Sequence, residues 1–259
     1  MAGAPSPTPG ISLDGRIVVV TGAGHGLGLA IARALAGAGA RLVLADLDEP
    51  SARRACEEAE GAGTRAVPAG GDIATEAGCA AIAQIAGEAF GCVDGLVNNA
   101  GLLSALPLRP WEEIPVAEWD AVMSVNVRGT FLCTRAIAPL MRPHGGAIVN
   151  MSSGRALDPG VHRLHYATSK AGVLGLTRGL ARELGPDRIR VNAVTPGYVQ
   201  PDEPPAPGEA GPSFPADGRA LERAMLSGDL TGVITFLLSD AAAFLTGQTI
   251  NVDGGKILY

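Results

Sequence analysis

Long apolar runs, basic runs and closely paired cysteines are all missing from this chain, and aromatic residues make up only 4% of it. Its apolar stretches are short or broken by glycine and charge, which argues against a bilayer span. A net charge of −6 without a run of lysine or arginine argues against a nucleic-acid or anionic-membrane partner. The four cysteines, Cys56, Cys79, Cys92 and Cys133, are scattered and lack metal-ligand spacing. They are expected to be free thiols of a reducing compartment, which points to the cytoplasm and to no metal site. Met1 to Gly10 holds three prolines but neither a positive flank nor an apolar core. The expectation is a disordered tail over 1–12 and not a secretory signal.

What the chain does have is alternation. Its 259 residues, 47% of them hydrophobic, suffice for one large core. Short apolar runs predict strands near 17–21, 41–45, 65–69, 94–98, 146–151, 189–194 and 249–252. Helical patterns lie between them near 27–38, 50–62, 75–90, 118–141, 165–184 and 229–239, and Gly185-Pro186 closes the fifth of these. The pattern predicts a single α/β domain over 13–259, a doubly wound, seven-stranded parallel sheet with helices on both faces.

The first strand runs into Thr21-Gly22-Ala23-Gly24-His25-Gly26-Leu27-Gly28, and an alanine-rich helix follows. Such a turn lets the backbone approach a phosphate closely, while free N–H groups and the helix dipole favour its charge. A turn and nothing more is the alternative. Asp46 ends the second apolar run, where a doubly wound fold places the acid that holds an adenosine ribose. A carboxylate there repels a 2′-phosphate, so NAD is expected over NADP. Asp46 and Asp48 would also serve simply to begin a turn, and a protonated His25 would favour the phosphate. Tyr166 and Lys170, four residues apart, stack a phenol and an ammonium on one helix face. A nearby cation favours the phenolate and brings tyrosine within range of acid and base work.

These motifs resemble the short-chain dehydrogenase/reductase family. The resemblance covers nearly all of 13–256. It rests also on Asn98-Asn99-Ala100-Gly101, on Asn126 in Val125-Asn126-Val127-Arg128-Gly129-Thr130, and on Ser153, thirteen residues before Tyr166. Pro196-Gly197, Gly247-Gln248 and Val252-Asp253-Gly254-Gly255 follow in the family's order. The resemblance implies a hydride transfer between NAD(H) and a secondary alcohol or ketone. Tyr166 is then the proton donor and acceptor, Lys170 lowers its pKa and binds the nicotinamide ribose, Ser153 holds the reacting oxygen, and Asn126 supports a water chain to solvent. Cofactor contacts are implied at Gly22, Gly26, Leu27, Gly28, Asp46, Asp72, Ile73, Asn99, Ala100, Gly101, Tyr166, Lys170, Pro196, Gly197 and Val199. Asp72 would meet the adenine amino group, or cap the next helix, or both. A homotetramer paired through the helices near 118–141 and 165–184 is implied as well. Two alternatives remain: an NADP-dependent reductase of 3-oxoacyl thioesters, and a non-catalytic NAD-binding sensor.

The substrate is less legible. Leu102, Leu103, Leu106, Leu157 and Val161 suit a hydrophobic ketone or alcohol, with Ser153, Arg155, His162, Tyr166 and Phe214 as candidate substrate contacts. Arg155 and His162 face solvent or anchor an acidic or polar group. The family usually has a threonine four residues after Gly197, and Gln200-Pro201 stands in that stretch here. The proline-rich segment 200–218 is expected to be a lid that closes over the substrate, with Phe214 as its apolar contact.

Overall fold

The computed structural model describes residues 11–200 and 218–258. Most of the expected tail and of the segment 200–218, Phe214 included, lies outside the described residues.

Seven strands form one parallel sheet: β1 (Ile17–Thr21), β2 (Arg41–Asp46), β3 (Ala66–Gly70), β4 (Gly95–Asn98), β5 (Gly146–Met151), β6 (Ile189–Pro196) and β7 (Thr249–Val252), in the order β3-β2-β1-β4-β5-β6-β7. β1 shows why the strands read as unbroken apolar runs. All five of its residues are buried, with Val18 and Val20 in one core and Ile17 and Val19 in the other. A parallel sheet covered on both faces leaves no polar side to alternate with. The first core is closed by α1 (Gly26–Gly37), α2 (Glu49–Gly61) and α7 (Gly228–Leu238). The second is closed by α3 (Glu76–Phe90), α5 (Thr130–Met141) and α6 (Leu164–Leu184).

Two departures from the sequence reading, in the fourth helix and in the cap of α3, stand out. The helix expected over 118–141 is two helices, α4 (Val116–Met123) and α5, joined by a π-helical turn over Ser124–Gly129. Asn126 sits inside that turn, and its amide bonds across to Leu102 and Ser169. Thr75, not Asp72, caps α3: its hydroxyl accepts from the Gly78 N–H at 3.0 Å, while Asp72 Oδ1 accepts from the Ala74 N–H at 2.9 Å. Cys79 and Cys133, 54 residues apart in sequence, meet in the interior with their sulfurs 3.5 Å from each other, because α3 packs on α5. Among the described residues no helix is long and apolar enough to cross a membrane, and no group of three or more His, Cys, Asp or Glu could hold a metal ion.

β1 pairs with β2 on one side and β4 on the other. The chain winds one way from β1 to β3 and the other way from β4 to β7, which opens a crevice at the carboxyl ends of β1 and β4.

Candidate active site

The glycine turn at the end of β1 is a cradle that side chains would fill. A Cβ on Gly28 would stand 1.8 Å from the Gly22 carbonyl oxygen, and one on Gly22, at φ +64°, would meet Ala100 Cα at 2.9 Å. Gly26 is left-handed at φ +53°, with open space where a Cβ would be. The N-cap of α1, His25, makes no side-chain capping bond, and the first turn carries no acid. The dipole and free N–H groups at that end are therefore left for an anion. Asn99 ties the turn to β4, donating from Nδ2 to the carbonyls of Thr21 at 3.0 Å and Gly22 at 3.1 Å. Thr21 answers through its hydroxyl, which accepts from the N–H groups of Asn99 and Ala100, both at 3.1 Å. Thr21 was not singled out from the sequence, although it opens the glycine motif.

Asp46 closes one side of the cradle. Its carboxylate is buried, accepts from the Gly24 N–H at 2.9 Å and the Asp48 N–H at 3.1 Å, and lies 3.8 Å from His25 Nδ1. Bonds to Gly24 fix the carboxylate against the glycine turn and leave lone pairs for ribose hydroxyls. Asp72 is exposed and Ile73 buried at the end of β3, with Ile73 packed where a Cβ on Gly129 would fall. Gly197 donates to the Val252 carbonyl, and Val199 bridges to Met225, so the stretch after β6 is held to the far edge of the sheet. These residues fit a dinucleotide laid along the carboxyl ends of β1, β2 and β4.

Ser153, Tyr166, Lys170 and Asn126 meet at the end of β5 and the first turns of α6. Lys170 is buried, and its Nζ donates to the Met151 carbonyl at 2.8 Å. Burial pushes its pKa down to about 8. The ammonium lies 5.8 Å from the centroid of the Tyr166 ring. Tyr166 is itself buried, and in the free protein that burial raises its pKa; a hydrogen bond with Ser153 and the charges of Arg163 and Arg155 pull the other way. The acidified phenol expected from the sequence is thus not reached in the free protein, because desolvation outweighs the Ser153 bond and the two arginine charges. Asn126 Oδ1 accepts from the Leu102 N–H at 2.7 Å while its Nδ2 donates to Leu102 O at 3.3 Å and Ser169 Oγ at 3.0 Å. The π-helical turn aims this amide across, so that it stitches the loop after β4 to α6.

Leu102, Leu106 and Val122 pack with Tyr166 into a small apolar cluster beside the phenol. Val161 is 72% exposed and Leu103 38%, which leaves them on the rim. Arg155 follows Ser153 on a short 3₁₀ turn and donates to the Pro159 carbonyl at 2.9 Å. His162 is exposed in a left-handed conformation at φ +71°, and its carbonyl accepts from the Arg109 N–H. The sequence reading passed over Arg163 and the fully buried His165, which flank this site. Histidine one place before the tyrosine, and arginine three before it, were the available signals.

A family model described as enoyl-(acyl carrier protein) reductase matches residues 22–256. A curated relative from Thauera aromatica, (2S)-[(R)-hydroxy(phenyl)methyl]succinyl-CoA dehydrogenase subunit BbsD, is 36% identical over 96% of this chain and 99% of its own length. A solved structure from Mycobacterium marinum, described as a short-chain type dehydrogenase/reductase, superposes with a TM-score of 0.87 at 31% identity over 96% of this chain and 98% of that one. Another, 3-ketoacyl-(acyl-carrier-protein) reductase from Brucella melitensis complexed with NADH, superposes with a TM-score of 0.85 at 33% identity over 95% and 100%.

Proposed function

This chain belongs to the short-chain dehydrogenase/reductase family, and from that premise we propose that it is an NAD-dependent dehydrogenase of secondary alcohols, running in reverse as a ketone reductase. The protein is an NAD(P)-linked oxidoreductase with a Rossmann-type fold. The observation that carries the proposal is Asp46, a buried carboxylate fastened to the glycine turn by the Gly24 N–H. A 2′-phosphate would meet its charge directly, whereas two ribose hydroxyls would donate to it.

The dinucleotide, when bound, supplies the hydride acceptor or donor. Tyr166 takes the proton of the alcohol at its phenol oxygen, or returns it to a ketone. Ser153 donates to the same substrate oxygen and holds it in place as charge develops there. Lys170, about half protonated near pH 8 in the free protein, is drawn back to its charged form by any anion formed beside it. Asn126 keeps the loop after β4 against α6, so the apolar wall of Leu102 and Leu106 stays over Tyr166.

A second reading, reduction of a 3-oxoacyl thioester, draws support from the Brucella melitensis protein's name and from the CoA ester named for the Thauera aromatica relative. The same proposal takes the protein as a cytoplasmic homotetramer paired through α4, α5 and α6. Phe131 on α5, 40% exposed, supports that, and a mass near the 26.2 kDa monomer by light scattering would refute it. The catalytic reading is tested by following NAD reduction against a panel of secondary alcohols, with NADPH and 3-oxoacyl thioesters as the rival pair. Tyr166→Phe should abolish turnover and leave NAD affinity within a few-fold. Activity above a tenth of the parent would overturn the assignment.

A further inference from the structure

Six buried side-chain polar atoms lack a hydrogen-bond partner among the described residues, and five of them belong to one cluster beside Tyr166: Arg109 Nε, Glu118 Oε1, Arg163 Nε and both ring nitrogens of His165. Glu118 Oε1 and His165 Nε2 face each other, which leaves Arg109 Nε, Arg163 Nε and His165 Nδ1 to be accounted for, because native interiors rarely leave such atoms unpaired. The cluster holds two arginines. Glu118 is its single carboxylate, with Oε2 lying 3.3 Å from Arg109 and Oε1 lying 3.2 Å from His165 Nε2. Arg163 makes no ion pair with a described residue. Its Nη2 donates instead to the Leu106 carbonyl at 3.1 Å, and Leu106 packs on Tyr166. The guanidinium is thereby fastened to the apolar wall of the site.

Arg155, exposed and two residues past Ser153, donates to the Pro159 carbonyl, and it too makes no ion pair with a described carboxylate. The charges of both arginines reach Tyr166 and favour its phenolate. For Arg163, which is half-buried, the lack of a counterion among the described residues is costly. Its planar fork of five donors matches a carboxylate, and a backbone carbonyl occupies only one of them.

We propose that Arg163, with Arg155 as a second donor, binds a carboxylate on the substrate, so that the chain acts on hydroxy acids and oxo acids and not on neutral alcohols. The proposal rests on the redox reading given above and names the substrate class of that site. The apolar wall of Leu102 and Leu106 takes the carbon chain, and the reacting carbon lies at Tyr166 and Ser153.

The test uses linear oxo acids of four to eight carbons, each against its methyl ester, with NADH and the full-length protein. In the parent the acid is expected to exceed the ester in kcat/KM by about tenfold or more at the best chain length. That ratio should fall to near one in Arg163→Met and keep an intermediate value in Arg163→Lys. An ester turned over as well as its acid by the parent overturns the proposal, as does an unchanged ratio in Arg163→Met. The parent comparison and Arg163→Lys decide the matter if the methionine variant does not fold. If neither series is reduced or formed with either cofactor, the redox reading fails and the carboxylate site is judged separately. Calorimetric titration of the same compounds should then show the acids binding at least tenfold more tightly than the esters, and equal binding overturns the site as well.

Discussion

Replacing Gly28 by alanine probes the cofactor cradle with a single added carbon. That carbon would stand 1.8 Å from the Gly22 carbonyl oxygen and 2.7 Å from Asn99 Nδ2. Neither neighbour yields freely. Gly22 is backbone in a left-handed turn, and Asn99 Nδ2 already donates to the carbonyls of Thr21 and Gly22. Overpacking strain costs about 1–3 kcal/mol, and losing the two neutral hydrogen bonds adds about 1 kcal/mol each. The expected destabilisation is about 3–5 kcal/mol, which lowers the melting temperature by about 6–20 °C for a chain of this size. Gly37, at the other end of α1, is the control, because a Cβ there meets nothing within 4 Å. Gly37→Ala should stabilise by up to about 1 kcal/mol through helix propensity alone. Thermal melts at one protein concentration, paired with NAD titration, separate the two variants. Gly28→Ala should lose NAD affinity as well as stability. A Gly28→Ala protein that melts within about 2 °C of the parent and binds NAD equally well would refute the geometric argument.

Lys170 holds its proton less tightly folded than unfolded, with a pKa near 8 against an ordinary lysine value. The penalty for burying its charge is full below about pH 8 and fades as pH rises towards about 10.4. Lys170→Met should therefore be more stable than the parent at pH 7, by about 1–2 kcal/mol after loss of the bond to Met151. Chemical denaturation should show that gap narrowing between pH 8 and 10, and a constant gap counts against the burial argument. Thr21→Val leaves the N–H groups of Asn99 and Ala100 without their acceptor. Denaturation should give a loss of about 2–4 kcal/mol, and a loss under about 0.5 kcal/mol would mean that water replaces the hydroxyl. Asp46→Ser removes the charge that opposes a 2′-phosphate and should shift kcat/KM from NAD towards NADP. A parent that already prefers NADP would show that His25 dominates the site.

How far the sequence foretold the molecule can be judged from particular residues. Val18, Val19 and Val20 announced a strand buried on both faces, and the glycines after them announced the turn, because both signals are local. Tyr166 and Lys170 were legible for the same reason, since four residues fix their relation on a helix. Asn126 was legible as a motif but not as a π-helical turn, because the bonds to Leu102 and Ser169 that hold it come from distant parts of the chain. The meeting of Cys79 with Cys133, and of Glu118 with His165, depends on which helix packs on which, and no spacing encodes that. The pKa of Tyr166 went the other way from expectation. The neighbouring ammonium was visible in the sequence, and the depth of burial was not.

The strand order β3-β2-β1-β4-β5 sets a timetable for synthesis. β1 is made first, yet one of its two neighbours, β4, arrives only after β2 and β3, and β5 later still. At roughly 5–20 residues per second, a ribosome needs about 10–30 s to reach Lys170. Throughout that interval the emerging chain displays apolar strands with an open edge, the surface most prone to pair with another molecule. Non-local pairing of this kind is also slow to form once the residues are available. A chain that stops before α6 lacks Tyr166 and Lys170, so truncation there yields a candidate for chaperones and proteases and no partial enzyme at all.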